Sequence, residues 1–260
     1  MSKAAGGLPI EYRPHFDRQS GRTSSPDKAS VEVARRIIDD LVQQGYQVGD
    51  RFPPEPDMLK AYEVSRETLR EGLRLLEVQG LITIRRGPGG GARVAPVNAA
   101  YLARSASLYF HVAGASYREV FETWLDMEPT LVARVARQED RSEVERVMKP
   151  FAETEPNADP RAIFDSAATF HSEIGRLSGN RVMVLLLQSI NHILTELMME
   201  RIDLNLSGAQ IEHDHQALAR AIVSGHARKA ESLARDHILH LWGDFEARAD
   251  GRIDDVVDWR

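Results

Sequence analysis

The sequence predicts a mainly α-helical protein with one small β-hairpin and two domains. Apolar residues recur at intervals of three and four along most of the 260-residue chain, which is the spacing of a buried helix face. Residues 81–85 are rich in β-branched side chains and precede a glycine-rich turn, a pattern that favours a hairpin. Residues 98–249 carry almost no strand pattern, and they therefore predict an all-α bundle.

Composition and charge exclude several classes of protein. The chain has no cysteine, which excludes disulfides, cysteine-based zinc fingers and a cysteine nucleophile. No apolar stretch approaches the ~18–20 residues that cross a bilayer, and no secretory leader is visible, so we expect a cytoplasmic protein with no membrane partner. The first 96 residues carry 15 Lys and Arg against 13 Asp and Glu, whereas the remainder carries 18 against 26. A nucleic-acid interface would therefore lie in the first third.

Glycine, proline and serine divide the chain into four segments. Residues 1–27 hold several of each without helical spacing of apolar residues, and they predict a flexible tail. Residues 28–96 predict a compact domain and residues 97–250 a helical one. The last ten residues, 251–260, are expected to form a second tail.

The elements of the first domain follow a recognisable order. Apolar spacing predicts a helix from residue 31 that stops before Gly45, and a proline-rich turn at 52–56 leads into a short helix. Ser65 is a good N-cap for a longer helix over 66–79, which Gly80 ends. Strands at 81–85 and 93–95 flank the glycine-rich turn. Helix, short helix, longer helix and hairpin is the order of a winged helix-turn-helix, in which the hairpin is the wing.

Cationic residues occupy the two places where such a domain meets DNA. Arg66, Thr68 and Arg70 lie at the start of the longer helix, the end that enters the major groove, where arginine bonds guanine bidentately. Arg85, Arg86 and Gly87 lie at the hairpin tip, which can rest on phosphates or in the minor groove.

Other interpretations of these residues stay open. Arg70 could instead pair with Glu67 or Glu71 on a solvated helix face. The glycine-rich turn could be a simple linker. It does not fit a phosphate-binding loop, since no Gly-Lys-Ser/Thr follows it and no helix begins there.

Residues 52–82 resemble the DNA-binding domain of the GntR family of bacterial transcription regulators. The resemblance is carried by Phe-Pro-Pro-Glu-Pro-Asp-Met-Leu and by Val-Ser-Arg-Glu-Thr-Leu-Arg-Glu-Gly-Leu-Arg. It implies that Arg66, Thr68 and Arg70 meet the operator, together with Arg86-Gly87 at the wing. Many members have arginine where this chain has Pro56, so that contact is absent or replaced here.

Three histidines fall on the inward faces of three helices of the second domain. The predicted helices span residues 99–111, 118–137, 142–153, 161–178, 181–202, 209–224 and 227–249. Within them, His171, His215 and His237 each occupy the apolar face, whereas His213, His226 and His240 do not. Three inward histidines on separate helices predict a shared cavity or a metal site.

The same helices resemble the FCD domain of the FadR subfamily. The matching motifs are Glu128-Pro129, Phe170-His171 with Ser178-Gly179-Asn180, His215 with Ala221-Ile222, and Ala230 with His237-Ile238. Members that bind a divalent metal use one Asp and three His, which the resemblance carries to His171, His215 and His237. The aspartate position is Ala167 here, and Asp165 lies about 240° round the helix from His171. Trp124 stands where many members have an arginine that faces a carboxylate effector.

Two interpretations of the effector site follow. In the first, the three histidines hold one Zn, Ni or Mn ion, and a small carboxylate completes its coordination. In the second, no metal is bound. A cavity lined by Trp124, Asn191 and the helix over 181–202 then takes an acyl chain or its CoA ester.

The favoured function is a sequence-specific regulator that binds a two-fold symmetric operator as a homodimer, with its affinity changed by a small-molecule effector. One alternative is a DNA-binding dimer without an effector. A three-histidine metal enzyme is the other, and it lacks support because no acid or base is convincingly placed and neither Gly-x-Ser-x-Gly nor His-Glu-x-x-His occurs.

Overall fold

The computed structural model describes residues 26–87, 89–153, 159–201, 204–248 and 252–259, with residues 8 and 10. The chain divides into two compact units, with the boundary between Tyr101 and Leu102. That boundary falls inside a helix, slightly later than the one predicted at residue 97. Most of the predicted N-terminal tail, residues 1–27, lies outside the described residues, although the first helix already begins at Pro26.

The first unit has the element order of a winged helix-turn-helix. Its bounds are α1 (Pro26–Gln43), α2 (Glu55–Tyr62), α3 (Arg66–Val78), β1 (Ile82–Arg85) and β2 (Gly91–Val94). The two strands form an antiparallel hairpin in which Ile82 pairs with Val94 and Arg85 with Gly91. Ile37, Leu69 and Ile82 are fully buried and join α1, α3 and β1 in one core.

Two local features position α3. The side chain of Ser65 accepts a hydrogen bond from the backbone N–H of Thr68 at 3.1 Å, so the predicted N-cap is present. Gly72 faces α1, where an added Cβ would lie 2.4 Å from Cγ1 of Val33. The absent side chain therefore lets α1 and α3 approach closely, and this holds the exposed start of α3 in a defined place.

The second unit is an all-α bundle, which confirms the predicted class. Its helices are α4 (Ala99–Ala113), α5 (Tyr117–Ala136), α6 (Arg141–Ala152), α7 (Pro160–Leu177), α8 (Arg181–Arg201), α9 (Leu204–Val223) and α10 (Ala227–Arg248). Helix α5 packs against α7, α8, α9 and α10, and its Phe121 and Leu131 are fully buried. Across the described residues, none of the helices is both long and apolar enough to cross a bilayer.

Helix α9 begins five residues earlier than the predicted start at 209. The sequence suggested a break at Ser207-Gly208, but Gly208 lies inside the helix and is buried. An added Cβ there would lie 2.7 Å from Cδ1 of Ile163 on α7. This glycine serves the close packing of α7 against α9 and does not end a helix.

The predicted C-terminal tail is wrong for the residues that the structure describes there. Arg252–Asp254 form a short 3₁₀ helix, and Ile253 and Val257 are buried in the bundle core. The backbone N–H of Val257 donates to the carbonyl of Ala115 at 2.9 Å. Asp254 also pairs with Arg118 at 2.6 Å. The segment belongs to the bundle because two of its apolar side chains, Ile253 and Val257, fill the core, a contact that its short sequence did not reveal.

Candidate nucleic-acid interface and metal centre

The start of α3 presents two long cations to solvent. The side chains of Arg66 and Arg70 are 67% and 65% exposed. Thr68 is half-buried, and its hydroxyl lies 2.8 Å from that of Ser65, so it is tied into the helix cap. Arginine at the exposed N-terminal end of the second helix of a helix-turn-helix is positioned to reach base edges.

Glu55, which the sequence pattern did not indicate, contacts both arginines. Oε1 of Glu55, the first residue of α2, lies 3.2 Å from Nε of Arg66 and 3.3 Å from Nε of Arg70. Oε2 also accepts a hydrogen bond from Nη2 of Arg70 at 3.3 Å. Spacing along the helix allows Glu67 or Glu71 as the partner of Arg70, since both lie on α3. The turn between α2 and α3 brings Glu55 to the site instead.

The wing carries the second group of exposed cations. Arg85 ends β1, and Arg86 and Gly87 follow it in the turn; all three are exposed, and Gly87 has a φ of +93° that favours glycine. Nη2 of Arg51 donates a hydrogen bond to the carbonyl of Gly90 in this turn at 2.6 Å. The Arg51 side chain thus anchors the backbone of the tip, while Arg85 and Arg86 are exposed.

The three inward histidines meet at one place in the bundle. His171 on α7, His215 on α9 and His237 on α10 each offer a ring nitrogen, and these nitrogens lie within 4.8 Å of one another. Nε2 of His215 is 3.1 Å from Nε2 of His237. His215 also stacks on the ring of Phe170 with a centroid distance of 4.4 Å. The inward helix faces, which the sequence predicted separately, therefore converge on a single cluster.

Two carboxylates contact the outer nitrogens of this cluster, and one of them is buried while the other is half-buried. Glu128 on α5 is 1% exposed, contacts Nδ1 of His171 and accepts a hydrogen bond from the indole N–H of Trp124. Oδ2 of Asp214 lies 3.3 Å from Nδ1 of His237 and 3.0 Å from Nδ1 of His240. With Nδ1 engaged, His171 and His237 each have Nε2 to offer a ligand. Carboxylates in this arrangement orient metal-binding imidazoles.

The electrostatics of the cluster favour neutral imidazoles at His215 and His237 beside ionised carboxylates. Burial lowers the pKa of His215 well below its usual value, and the neighbouring His237 and His171 lower it further. Burial also lowers the pKa of His237, and the hydrogen bond to Asp214 only partly opposes this. Burial raises the pKa of Asp214, but hydrogen bonds from His237, His240 and Gln210 outweigh it and bring the value to about 2. Neutral imidazole is the form that binds a metal.

The pKa of the Glu128 carboxyl is lowered, as that of Asp214 is. Burial raises the pKa of this carboxyl, but the neighbouring His171 imidazole and the hydrogen bonds from His171 and Trp124 leave it below its usual range. An ionised carboxylate therefore lies on each of two sides of the cluster. Together they supply negative charge near the position that a divalent cation would take.

The donor type of the three histidines suits a transition metal, and one pair has the spacing of two ligands on one ion. Two ligand nitrogens about 2.1 Å from one ion are about 3.0–3.4 Å apart at octahedral and tetrahedral angles, which matches the 3.1 Å between His215 and His237. Ala167 brings no ligand, and Asp165 is exposed, as its place on the helix indicated. Three protein nitrogens would hold the ion and leave positions for exchangeable oxygen ligands.

The two residues predicted to line an effector cavity lie in different settings. Trp124 is 4% exposed, and its ring meets that of His171 edge-on with centroids 6.0 Å apart. Asn191 on α8 is partly buried, and its Oδ1 is shielded from solvent without a hydrogen-bond partner among the described residues. Within the same residues, no hydrogen bond or ring contact joins Asn191 to the histidines.

Both units match known protein families. Residues 29–94 match the bacterial regulatory proteins of the gntR family, and residues 119–240 match the FCD domain. The Glc operon transcriptional activator of Escherichia coli is 26% identical over 226 residues, covering 80% of this chain and 85% of that protein. The Uxu operon transcriptional regulator of the same organism is 36% identical over 66 residues, which cover 25% of this chain and 26% of that protein.

A solved structure shares the fold. The GntR protein of Streptococcus agalactiae superposes with a TM-score of 0.59 at 22% identity, covering 82% of this chain and 98% of that chain. The relatives are transcription regulators, and they give the enzyme alternative no support. The chain belongs to the GntR family of bacterial transcription regulators: it is a DNA-binding regulator with an FCD effector-binding domain, and it is not an enzyme.

Proposed function

We propose that this regulator binds a two-fold symmetric operator in the cytoplasm as a homodimer, with one winged-helix unit on each half-site. The observation that carries the proposal is the pair of exposed arginines, Arg66 and Arg70, at the capped start of α3. Two such heads related by a two-fold axis would read two half-sites about one helical turn apart, or a multiple of that distance.

Each predicted DNA residue has a distinct role in this proposal. Arg66 and Arg70 read guanine edges in the major groove, and Thr68 supports them from the helix cap. Arg85 and Arg86 meet phosphates or the minor groove from the wing, where Gly87 gives the tip its conformation. Pro56 takes the place of a cation that many members have, so α3 and the wing supply the contacts.

Selection of binding sequences from random duplex DNA tests the proposal. We expect the enriched sequences to share a two-fold symmetric pattern with half-site centres about 10 base pairs apart or a multiple of that spacing. The full chain should bind this operator at least about 10³-fold more tightly than a scrambled duplex at the same salt concentration. Enrichment of asymmetric sequences, or of none, would contradict a symmetric dimer on DNA.

We further propose that the helical unit, as a member of the FadR subfamily, takes its effector at the histidine cluster. His171, His215 and His237 would hold one Zn, Ni or Mn ion, and the metal would offer open positions to the oxygens of a small carboxylate. The 3.1 Å nitrogen separation and the two outer carboxylates support this choice over a metal-free acyl pocket. The shielded Oδ1 of Asn191 would accept a hydrogen bond from an effector that reaches it.

An effector at this site can regulate only if it binds two conformations unequally. The difference between the effector's binding free energies for the two conformations would then appear as a change in operator affinity. DNA would change the affinity for the effector by the same factor. A DNA-binding dimer without an effector would show neither change when metal or small carboxylates are added.

Asp214→Asn is expected to weaken metal binding although it leaves all three histidines in place. The amide has no negative charge and only one acceptor oxygen, so it positions Nδ1 of His237 less well than the carboxylate does. The dissociation constant of the metal should therefore rise about 10–100-fold. Competition titration with a chelating dye measures it. His240→Ala is the matched control, since it removes the other histidine partner of Asp214 but lies outside the cluster. Equal losses in the two variants would contradict the role of Asp214.

A further inference from the structure

One carboxylate contacts both major-groove arginines from a different helix. Oε1 of Glu55 lies 3.2 Å and 3.3 Å from Nε of Arg66 and Arg70. This oxygen is shielded from solvent and has no hydrogen bond of good geometry among the described residues, so its contact with each arginine is ionic. Glu55 also lies between Pro54 and Pro56 at the start of α2, where the prolines restrict the backbone.

Glu55 engages one edge of each guanidinium and leaves the other edge open. The carboxylate meets Nε of Arg66, and it meets Nε and Nη2 of Arg70. The end of each guanidinium, with its outward Nη hydrogens, is one edge that can form a bidentate pair with O6 and N7 of guanine. A carboxylate on the Nε side is thus compatible with base recognition and fixes the direction in which each end points.

Stability does not account for this arrangement. Both arginine side chains are about two-thirds exposed, and ion pairs as exposed as these contribute little to folding. Preorganisation of a long side chain, by contrast, removes part of the ordering cost that DNA binding would otherwise incur. The same negative charge also opposes non-specific attraction of the α3 surface to phosphates.

We infer that Glu55 is a specificity-determining positioning residue of the DNA interface. It aligns Arg66 and Arg70 for guanine and discourages the use of the same cations on phosphates of any sequence. The inference rests on the proposed operator contacts of those arginines. It predicts effects of opposite sign on specific and non-specific DNA, which a structural role for Glu55 would not produce.

Glu55→Gln tests this inference in the full chain, with binding measured by fluorescence anisotropy at fixed salt. The duplexes are the operator found by selection and a scrambled version of it. The variant should bind the scrambled duplex more tightly than the wild-type protein does and the operator more weakly, so that the ratio of the two affinities falls roughly tenfold. The ratio is measured on one preparation, so an inactive fraction cancels.

Glu67→Gln is the matched control, because it removes an equal charge from an exposed position in the first turn of α3. It should tighten binding to both duplexes alike and leave the ratio unchanged. In a chain with Arg66→Ala and Arg70→Ala, Glu55→Gln should no longer change the ratio, since Glu55 acts through those side chains.

The outcomes separate the two hypotheses. If the double arginine variant keeps the operator affinity of the wild-type protein, the proposed interface on α3 is wrong. If that variant loses affinity but Glu55→Gln behaves as Glu67→Gln does, the interface stands and the role of Glu55 is overturned.

Discussion

Replacing both Arg66 and Arg70 by alanine is expected to weaken operator binding by about 2–6 kcal/mol, since each bidentate arginine contributes about 1–3 kcal/mol. The structure gives the physical reason. Both side chains lie at the capped end of α3 and are about two-thirds exposed, and Glu55 contacts their Nε atoms. Fluorescence anisotropy with the selected operator, at one fixed salt concentration, measures the loss.

Arg74→Ala is the control for this experiment. Arg74 is an exposed cation on the same helix, further from its N-terminal end, so its removal lowers the charge without touching the predicted base contacts. It should weaken the operator and a scrambled duplex to a similar, small extent. Loss of operator affinity equal to that of Arg66→Ala or Arg70→Ala would indicate a general electrostatic surface in place of base recognition by α3.

Replacing His215 by alanine is expected to abolish stoichiometric metal binding. The wild-type protein should retain about one Zn, Ni or Mn ion per chain after dialysis, because three imidazoles and two outer carboxylates surround the position. Loss of an outer partner alone costs about 10–100-fold in affinity, so loss of a ligand should cost about 100-fold or more. Mass spectrometry of untagged protein, before and after chelation, measures the metal content.

His226→Ala is the control for the loss of any one histidine, since His226 is exposed and lies outside the cluster. This control should keep the metal content of the wild-type protein. The thermal midpoint of the wild-type protein should rise on metal addition, by mass action, whereas that of His215→Ala should not. A metal-free wild-type protein, even after reconstitution with zinc or nickel, would leave the histidines as polar cavity lining and favour an acyl chain or CoA ester.

The order of elements and the inward histidines could be predicted from the sequence because they depend on local spacing. Ser65 caps α3 and Gly80 ends it, as their residue types indicated. His171, His215 and His237 occupy apolar helix faces, and apolar faces turn inward. Their convergence was an expectation, since three inward faces need not meet at one point.

Glu128 and Glu55 show what could not be predicted. Glu128 was noted only as part of a motif, and periodicity gives no reason for a carboxylate inside the core. It is stable there because Trp124, one turn earlier on α5, donates a hydrogen bond to it and His171 on α7 contacts it. The contact of Glu55 with Arg66 and Arg70 crosses from one helix to the next, so a search for charge pairs within α3 could not find it.

Local spacing in the sequence is enough to predict the helical class, the winged helix-turn-helix, its exposed cations and the three histidine-bearing faces, because each of these follows from neighbours within one or two helical turns. The packing of the helices sets which carboxylates contact those cations and imidazoles, and it brings the C-terminal segment into the bundle core through Ile253 and Val257. Contacts of this second kind join residues far apart in the chain, and only the packing of helices in three dimensions selects among the partners that composition allows.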